Sequence, residues 1–372
     1  MKKFISYVVF SGAFISSAWA QKTISITNPS DNNRLELVSF PFKKFSKHFG
    51  VDTTFTIKDN TGKIYFHQLE KLGQSHTQNV LIQVPISSKG KLDLVVSKEK
   101  APTFPSKTFA RYVPERFDDF AWENDVVAFR MYGKALEGRS DDAQGMDYWA
   151  KRTENLVINK WYKHDDYHKD HGEGLDYYSV GQTLGAGDIA LYHNDYIQFT
   201  NHYRSYKVLD NGPLRTTFKL SFDPQVIEGQ EISLTKTISI DAGQNFNRIV
   251  VDFENKHKDQ TPVVVGLANR NESKPEVEFD KEDKTLVYWE PNINEAGHTG
   301  TALILTNQKA SYIDSDAKQF LIKSEISNKK PFVYYNGAAW NKADKITSFE
   351  KWADAVENYA QQIGKPLKVK LK

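Results

Sequence analysis

The sequence predicts an antiparallel all-β fold. Alternating apolar and polar runs recur along the 372 residues, and turn-forming residues separate them. Helical spacing of apolar side chains is found only near the C-terminal end. Many strands without intervening helices are typical of antiparallel sheets packed face to face. Since 13% of the residues are aromatic, the composition also argues against a disordered chain.

The first 20 residues have the features of a secretory signal peptide. Lys2 and Lys3 precede an apolar stretch at 4–15, and an A-x-A cleavage pattern occupies 18–20. We therefore expect a periplasmic or secreted protein that begins at Gln21. Without the leader, 47 basic and 47 acidic residues remain, so charge gives no reason to expect nucleic-acid binding. No second long apolar run predicts a membrane-spanning helix.

Several classes of chemistry lack their sequence signatures. The chain has no cysteine, which excludes disulfides, thiol catalysis and cysteine-ligated zinc. It also has no Walker loop, no dinucleotide-binding glycine pattern and no G-x-S-x-G motif. Histidine, tyrosine, arginine and carboxylates are therefore the groups available for catalysis.

The first expected domain is a small β-module at 21–105. Its predicted strands lie at 51–57, 63–66, 79–86 and 92–96, with turn residues between the members of each pair. Pro102, Pro105 and Pro114 then predict a linker.

The second expected domain spans 106–372. Strand patterns are found at 214–220, 232–240, 248–254, 262–267 and 301–305. A turn at 241–245 separates two of the long strands. Helical spacing at 348–363 places five side chains on one face: Phe349, Trp352, Ala353, Val356 and Ala360. We therefore predict a single C-terminal helix packed on sheets.

Residues 161–178 are the first candidate site. His164, His168 and His171 fall within eight residues, and tyrosines and carboxylates lie between them. Few apolar side chains are present to build a core there, and functional residues are often found on polar loops. The alternative is an ordinary solvated loop.

Two chemistries are open for this segment. On a helix, the H-x3-H-x2-H spacing would place the three imidazoles on one face, where they could bind a divalent metal. However, Gly172 and Gly174 disfavour a helix, and the H-E-x-x-H pattern is missing. The other interpretation is metal-free proton transfer by the histidines with Tyr167 or Tyr178.

A second candidate is Arg130, within a predicted strand at 121–133. Alternation predicts one face with Val127, Phe129 and Met131, and the other with Asn124, Arg130 and Tyr132. An arginine between Asn and Tyr suits a substrate carboxylate. The alternative is a structural ion pair with a neighbouring acid.

Weaker candidates complete the expected site. Arg204, which would share a strand face with His202, and Arg215 are further cations for a carboxylate. Three tryptophans, Trp149, Trp161 and Trp340, are possible platforms for sugar stacking, although a large tryptophan is more often buried.

Four runs carry a resemblance to a known family. They are PERFDDFAWENDVVAFRMYG, YHKDHGEGLDYYSVGQTLGAGDIAL, GPLRTTFKL and YYNGAAW. They resemble a family of secreted proteins from bacteria that degrade algal and plant polysaccharides, and one member of that family resembles an oligosaccharide dehydratase of ulvan breakdown. The run ISLTKTISIDAGQNFNRIVVDFEN is similar to the galactose-mutarotase-like β-supersandwich.

The resemblance implies a supersandwich at 106–372 that acts on an oligosaccharide containing uronic acid. The implied reaction removes water across C4–C5 of a terminal glucuronate and leaves a 4,5-unsaturated uronate. A polysaccharide lyase would eliminate a glycosidic oxygen instead. Non-catalytic carbohydrate binding and aldose epimerisation are the remaining alternatives, because a fold does not determine a function.

Overall fold

The structure is a computed structural model, and it describes residues 22–164, 166–270, 275–306, 308–313 and 318–372. The expected leader at 1–20 and the expected first residue, Gln21, lie outside the described residues. Antiparallel sheets dominate, so the predicted all-β class is confirmed. In the described part of the chain, no helix has the length and apolarity needed to span a membrane.

The chain begins with six strands and one short helix. They are β1 (Thr23–Thr27), β2 (Arg34–Pro41), α1 (Phe42–Phe49), β3 (Thr56–Lys58), β4 (His67–Glu70), β5 (Asn79–Ile86) and β6 (Lys91–Ser97). The predicted strands at 79–86 and 92–96 are confirmed as β5 and β6. The strand predicted at 51–57 is wrong over most of its length. Its alternating Val51 and Phe55 are buried in a loop, and the Phe55 ring lies 5.2 Å from that of Phe45 in α1.

The next elements form a five-stranded sheet and its cover. They are β7 (Thr108–Val113), β8 (Asp119–Asn124), β9 (Ala128–Met131), β10 (Met146–Lys151), α2 (Ile158–His164) and β11 (Gly174–Leu175). The predicted linker is only partly right, because β7 begins at Thr108 and pairs with β8. The single strand expected at 121–133 is wrong, since 125–127 turn the chain between β8 and β9.

The rest of the chain supplies the long strands and the third helix. The strands before the helix are β12 (Ala186–His193), β13 (Tyr196–Gln198), β14 (Ser205–Asn211), β15 (Arg215–Ile227), β16 (Gln230–Asp241), β17 (Phe246–Asn255), β18 (Gln260–Ala268), β19 (Glu276–Asp280), β20 (Thr285–Trp289), β21 (Thr299–Ile304), β22 (Ser311–Ile313), β23 (Gln319–Ser327) and β24 (Phe332–Trp340). Helix α3 (Phe349–Gly364) and β25 (Lys368–Leu371) end the chain. Helix α3 lies where the sequence predicts it, and the Ser348 hydroxyl accepts a bond from Lys351 N at its N-terminus.

Three sheets enclose the main core. An eight-stranded sheet has the order β14-β15-β16-β17-β24-β21-β20-β19. Two five-stranded sheets have the orders β13-β12-β18-β23-β22 and β11-β10-β9-β8-β7. Trp122, Phe218, Val265 and Tyr334 contribute to one buried cluster that joins all three sheets. Helix α3 contributes Trp352 to a separate cluster with strands of the eight-stranded sheet.

The two smaller sheets belong to the N-terminal module and include the last strand of the chain. Their orders are β25-β1-β6-β3 and β2-β5-β4. Strand β25 is antiparallel to β1, with Ile24 opposite Leu371. The C-terminal end therefore completes a sheet that the N-terminal end begins.

The β7–β11 sheet has one apolar face and one charged face. In β8, Phe120 and Trp122 join the main core, while Ala121 packs with Trp149 and α2 on the other side. This alternation places Asp119 and Glu123 on the outer face, which residues 157–178 cover. Gly174 allows the close approach of this segment, because its φ is +122° and a Cβ there would lie 2.0 Å from Ala150 O.

Candidate active site

A buried ion pair fixes the start of helix α2 on the charged sheet face. The Glu123 carboxylate accepts bonds of 2.8 Å from both Val157 N and Ile158 N. Lys151 Nζ lies 2.7 Å from Glu123 Oε2 and 2.7 Å from Asn124 O. Because the Lys151 and Glu123 side chains are fully buried, this anchor determines where the other end of α2, with His164, is placed.

A stack of aromatic rings lies next to this anchor. The Trp149 ring centroid is 5.4 Å from that of Trp161 and 5.3 Å from that of Tyr167, both in stacked geometry. Tyr162 packs against Trp149 at 5.0 Å. All four rings are buried, so they form a rigid base for the polar loop between α2 and β11, described at 166–173.

The polar loop and α2 enclose a cleft of about 390 Å³, which we call the histidine cleft. The residues that line it are Lys160, Trp161, His164, Asp166, Tyr167, Lys169, His171, Glu173 and Gly174. It therefore combines two imidazoles, two ammonium groups and two carboxylates with the edges of two aromatic rings.

His171 in this cleft is oriented by a carboxylate. His171 Nε2 lies 3.1 Å from Asp166 Oδ2 and 3.3 Å from Asp166 O. Since both partners are acceptors, we assign the proton to Nε2, which leaves the Nδ1 lone pair available. A carboxylate that fixes the tautomer of an exposed imidazole is the arrangement that general-base histidines use.

His168 has a different environment from the other two histidines. Its side chain is 63% exposed, and it is not among the residues that line the histidine cleft. Its Nδ1 donates to Asp176 O at 2.9 Å. The three histidines therefore do not converge, and no group of three or more His, Asp or Glu residues suited to a metal ion is found in the described ranges.

Two ion pairs set the charge of the histidine cleft. Lys160 Nζ lies 2.7 Å from Glu173 Oε2, and Lys169 Nζ lies 3.7 Å from Asp166 Oδ1. The longer separation leaves Lys169 the more loosely held of the two cations.

A second charged group lies between the β7–β11 sheet and the covering residues 157–178. We call it the Arg130 cluster, and it consists of Arg130, Asp119, Asp147 and Asp176. Arg130 Nη2 binds Asp147 and lies 3.2 Å from Asp176 Oδ2, while Nη1 lies 3.6 Å from Asp119 Oδ2. None of the four side chains is more than 5% exposed. The expectation that Arg130 presents itself to a ligand carboxylate is wrong in this structure, because three carboxylates of the chain already surround it.

The Arg130 cluster holds protons near neutral pH. Burial raises the pKa of Asp119 to about 7, against the lowering effect of the Arg130 charge. Burial and the neighbouring Asp147 charge raise the pKa of Asp176 to about 8. Burial also raises the pKa of Asp147. Because burial disfavours charged carboxylates and neighbouring aspartates repel one another, protonation of an aspartate relieves the excess negative charge.

The expected tyrosines divide between the histidine cleft and the interior. Tyr167 lines the cleft, and its hydroxyl lies 3.4 Å from Arg116 Nε. Tyr178 is buried, and its hydroxyl has no hydrogen-bond partner among the described residues. Burial raises the Tyr178 pKa well above its ordinary value. Tyr178 is therefore misplaced for proton transfer in the cleft. Tyr132 is also buried, with Arg130 over its ring at 5.1 Å.

Three other expected binding residues have structural partners elsewhere. Asn124 Nδ2 donates to Asp241 O and Gln244 O, at 2.6 and 2.7 Å, so it does not share the face of Arg130. Arg204 binds both Glu137 oxygens, at 2.8 and 3.0 Å. Arg215 binds both Asp241 oxygens, at 2.5 and 2.7 Å. None of the three lines the histidine cleft, so the structure does not bring them to this site.

The three candidate tryptophans do not lie at one site. Trp161 lines the histidine cleft, whereas Trp149 lies behind it and is buried. Trp340 is buried elsewhere, where its Nε1 donates to Ala296 O at 2.9 Å. Only Trp161 of the three is placed to contact a ligand in this cleft.

Sequence reasoning missed several charged residues that shape the site. In the histidine cleft these are Lys160, Asp166, Lys169 and Glu173, which lie within or beside the histidine-rich segment. In the Arg130 cluster they are Asp119, Asp147 and Asp176. Acids close to aromatic residues, as in FDDFAW and MDYWA, were the available signal for Asp119 and Asp147.

Comparison with known proteins identifies the family. The model of a domain of unknown function, DUF4861, matches residues 26–369, so the chain belongs to this family. The chain is also similar to an uncharacterized protein, P7, of Formosa agariphila. The two are 31% identical over 282 residues, which cover 71% of this chain and 69% of that protein.

The chain is also similar to solved structures. A protein in glycosyl hydrolase family 38 from Enterococcus faecalis superposes with a TM-score of 0.53 and 11% identity over 94% of this chain. An α-mannosidase from Enterococcus faecalis V583 gives a TM-score of 0.45 at 10% identity, again over 94% of this chain. This chain spans about half the length of both proteins, 47% and 46%. The first likeness supports the β-sandwich fold.

Proposed function

We propose that this DUF4861 chain is a carbon–oxygen lyase whose active site is the histidine cleft. In this proposal it removes water across C4–C5 of a glucuronate at the non-reducing end of an oligosaccharide. The observation that carries the proposal is the Asp166–His171 pair, which places a carboxylate-oriented imidazole in a cleft that Trp161 and Tyr167 border.

The first step requires a base. The C5 proton of a uronate is α to the carboxylate, so its removal builds negative charge on the carboxylate oxygens. In our proposal His171 Nδ1 accepts this proton, and Asp166 stabilises the imidazolium that forms. The electron pair of the C5–H bond becomes the C4–C5 double bond.

The second requirement is an acid and a countercharge. The C4–O bond breaks as His164, in its protonated form, donates a proton to the leaving hydroxyl, which departs as water. Lys169 takes the role expected of Arg130 and neutralises the substrate carboxylate. Among the described residues, Lys169 has one ion-pair contact, the long one to Asp166, so little must be given up to bind a ligand.

The lining of the histidine cleft supports the proposed substrate class. The edges of Trp161 and Tyr167 offer apolar contact to a sugar, and ammonium groups suit its carboxylate. The resemblance to an ulvan oligosaccharide dehydratase favours water, rather than a glycosidic oxygen, as the leaving group. The leader expected at 1–20 would deliver the enzyme to the periplasm or the medium, where such oligosaccharides are met.

The test is product formation from saturated glucuronate-terminated oligosaccharides. We expect ultraviolet absorbance from the conjugated uronate, together with loss of water by mass. His171→Ala should lower the rate by about 10²–10⁴-fold. His168→Ala is the matched control, because His168 lies on the same loop, is similarly exposed and does not line the cleft. Equal loss in both variants would contradict the assignment of the site.

Other outcomes separate the alternatives. Chain cleavage with the same absorbance would identify a polysaccharide lyase. Binding without any absorbance would identify a carbohydrate-binding protein or an epimerase, and a change of anomer or epimer would separate those two. Product formation that a chelator abolishes would replace the metal-free scheme with a metal-assisted elimination.

A further inference from the structure

We propose that the N-terminal module carries a second ligand surface, for a polysaccharide chain with repeating carboxylate or sulfate groups. We call this surface the lysine face. It lies at the end of the module where helix α1, the start of β1 and strand β25 meet. Six exposed lysines form it: Lys22, Lys43, Lys44, Lys47, Lys368 and Lys370.

Hydrogen bonds bring the three elements of the lysine face together. Lys22 Nζ, directly before β1, donates to His48 O in the last turn of α1 at 2.6 Å. His48 Nε2 lies 2.9 Å from Lys372 O, directly after β25. Lys368 and Lys370 share one side of β25, because side chains alternate along a strand. The lysines of the helix and of the two strands therefore belong to one end of the module.

The charge of the N-terminal module is opposite to that of the rest of the chain. Residues 22–105 contain 12 basic and 7 acidic side chains, and residues 365–372, which include β25, add 4 basic and no acidic ones. Residues 106–364 contain 31 basic and 40 acidic side chains. The neutral total therefore hides a net charge of +9 on the module with β25 and −9 on the remainder. Such a separation directs a polyanion to the module.

The carboxylates of the module leave the lysine face unpaired. Within the part of the chain that the structure describes, none of its six lysines forms an ion pair. Four carboxylates belong to other cations: Asp31 to Lys89, Glu36 to Arg34, Asp93 to Lys91 and Glu99 to Lys58. Glu70 is buried, while Asp52 and Asp59 accept bonds from backbone amides. Ion pairs among the described residues therefore do not neutralise this face.

Helix α1 carries its lysines at positions that disfavour the helix. Lys43 and Lys44 lie in its first turn, where the helix dipole disfavours cations, and no acidic residue lies in that turn. Lys43 and Lys47 are like charges at i,i+4 spacing, which also repel. Lysines on an edge strand such as β25 prevent pairing with other chains, but α1 has no such need. A bound polyanion would relieve both repulsions, and this feature carries the inference.

The exposed apolar residues indicate which polyanion fits. Among the described residues of the module and β25, the large exposed hydrophobic side chains are Leu35, Leu72 and Val369. None is aromatic, so the surface lacks a ring for stacking on nucleic-acid bases. Only Val369 belongs to an element of the lysine face, which is too little to insert into a membrane. Ammonium groups alone suit a hydrophilic chain of carboxylates or sulfates.

The chain offers a matched pair of variants for the test. The helix variant combines three substitutions in α1: Lys43→Gln, Lys44→Gln and Lys47→Gln. The control variant combines three in the large domain: Lys258→Gln, Lys329→Gln and Lys330→Gln. These control lysines are also exposed and have no ion pair among the described residues. They also lie close together, since Asn328 Nδ2 donates to Lys258 O at 3.1 Å. Each variant loses three positive charges.

The experiment measures binding of the whole chain to dextran sulfate, polygalacturonate and unmodified dextran by isothermal titration calorimetry. Wild type should bind the two polyanions, more weakly as salt is raised, and should not bind dextran. The helix variant should bind them about eightfold more weakly, or about twofold for each surface ion pair lost. The control variant should bind as wild type does. In urea denaturation the midpoint of the helix variant should not fall, because unfavourable first-turn charges are removed.

The inference is overturned if neither polyanion binds, if dextran binds equally well, or if the helix and control variants weaken binding alike. Binding that depends on the α1 lysines but is found only with phosphatidylglycerol vesicles or duplex DNA would also overturn it. No residue of the lysine face lines the histidine cleft, so the inference does not rest on the proposed reaction. His171→Ala should keep polyanion binding, and the helix variant should keep the wild-type rate on short oligosaccharides. Failure of the proposed reaction would therefore be recognised separately.

Discussion

The Arg130 cluster and the histidine cleft share one segment of chain but present it to opposite environments. Asp176 places its carboxylate beside Arg130 in the interior, whereas His171, five residues earlier, lies on the exposed side. Both regions combine positively charged side chains with carboxylates. They differ in access to water, and that difference decides which groups can meet a ligand.

The two regions should therefore respond differently to loss of a charge. Every charged side chain of the Arg130 cluster is at most 5% exposed, while His171 is 65% and Lys160 58% exposed. Removing one partner of a buried ion pair leaves an uncompensated charge, whereas water screens an exposed one. The cluster should govern stability, and the cleft should govern activity.

The largest expected effect is on stability. Arg130→Met leaves three buried aspartates without their guanidinium and should lower the free energy of unfolding by about 3–5 kcal/mol. Urea denaturation measures it. Arg139→Met is the control, since Arg139 pairs with Asp141 at the surface and should cost about 1 kcal/mol or less. Similar losses of stability in both variants would mean that the buried Arg130 cluster stabilises the fold no more than a surface ion pair does.

The next effect is on activity alone. Asp166→Asn removes the charge that orients His171, so the rate of unsaturated-uronate formation should fall about 10²-fold. The free energy of unfolding should change by less than about 0.5 kcal/mol, because Asp166 is exposed. Asp195→Asn, on an exposed turn, should change neither quantity. If a loss of stability accounts for the lost rate, Asp166 has a structural role and not a role in catalysis.

A third effect, smaller for each single pH unit, is the dependence of stability on pH. Folding raises the pKa of Asp176 from 3.8 to about 8, so the folded chain keeps a proton that the unfolded chain releases. Stability should therefore fall as pH rises from about 4 to about 8, by at most about 1.4 kcal/mol per pH unit for that proton. Asp176→Asn should flatten this slope in urea denaturation at several pH values. A steeper slope in the variant would refute the assignment.

The smallest effect is expected at the rim of the histidine cleft. Glu173→Gln breaks the pair with Lys160, whose side chain is 58% exposed, and should change the free energy of unfolding by less than about 1 kcal/mol. A loss above about 2 kcal/mol would show that the cleft is as tightly integrated as the Arg130 cluster, and the contrast between the two regions would fail.

Much of the fold could be predicted because the long strands carry their own signal. Strands β15 to β17 and helix α3 follow from alternation and helical spacing that one buried face imposes. Helix α2 was missed, although Val157, Ile158, Trp161 and Tyr162 have helical spacing. It has only seven residues, and Glu123, far away in the sequence, supplies the partner for its first amide groups.

The candidate site was less predictable for a related reason. Alternation correctly separated Phe129 from Arg130, since Phe129 lies in the main core and Arg130 on the opposite face. It could not predict that residues 157–178 would cover that face and bring Asp176 to the guanidinium. Similarly, the spacing of the histidines did not distinguish His171, beside Asp166, from His168, which Asp176 O holds outside the cleft.

The pairing of β1 with β25 links the order of synthesis to the order of folding. Thr23 and Lys372 exchange two backbone hydrogen bonds, at 3.1 and 2.9 Å, although nearly the whole chain separates them. During synthesis, β1 leaves the ribosome well before β25. Until then β1 has an unpaired edge, which is the kind of surface that pairs with other chains. The first sheet to emerge is thus among the last to be completed, and a chaperone that shields this edge would act on the nascent chain rather than on the finished fold.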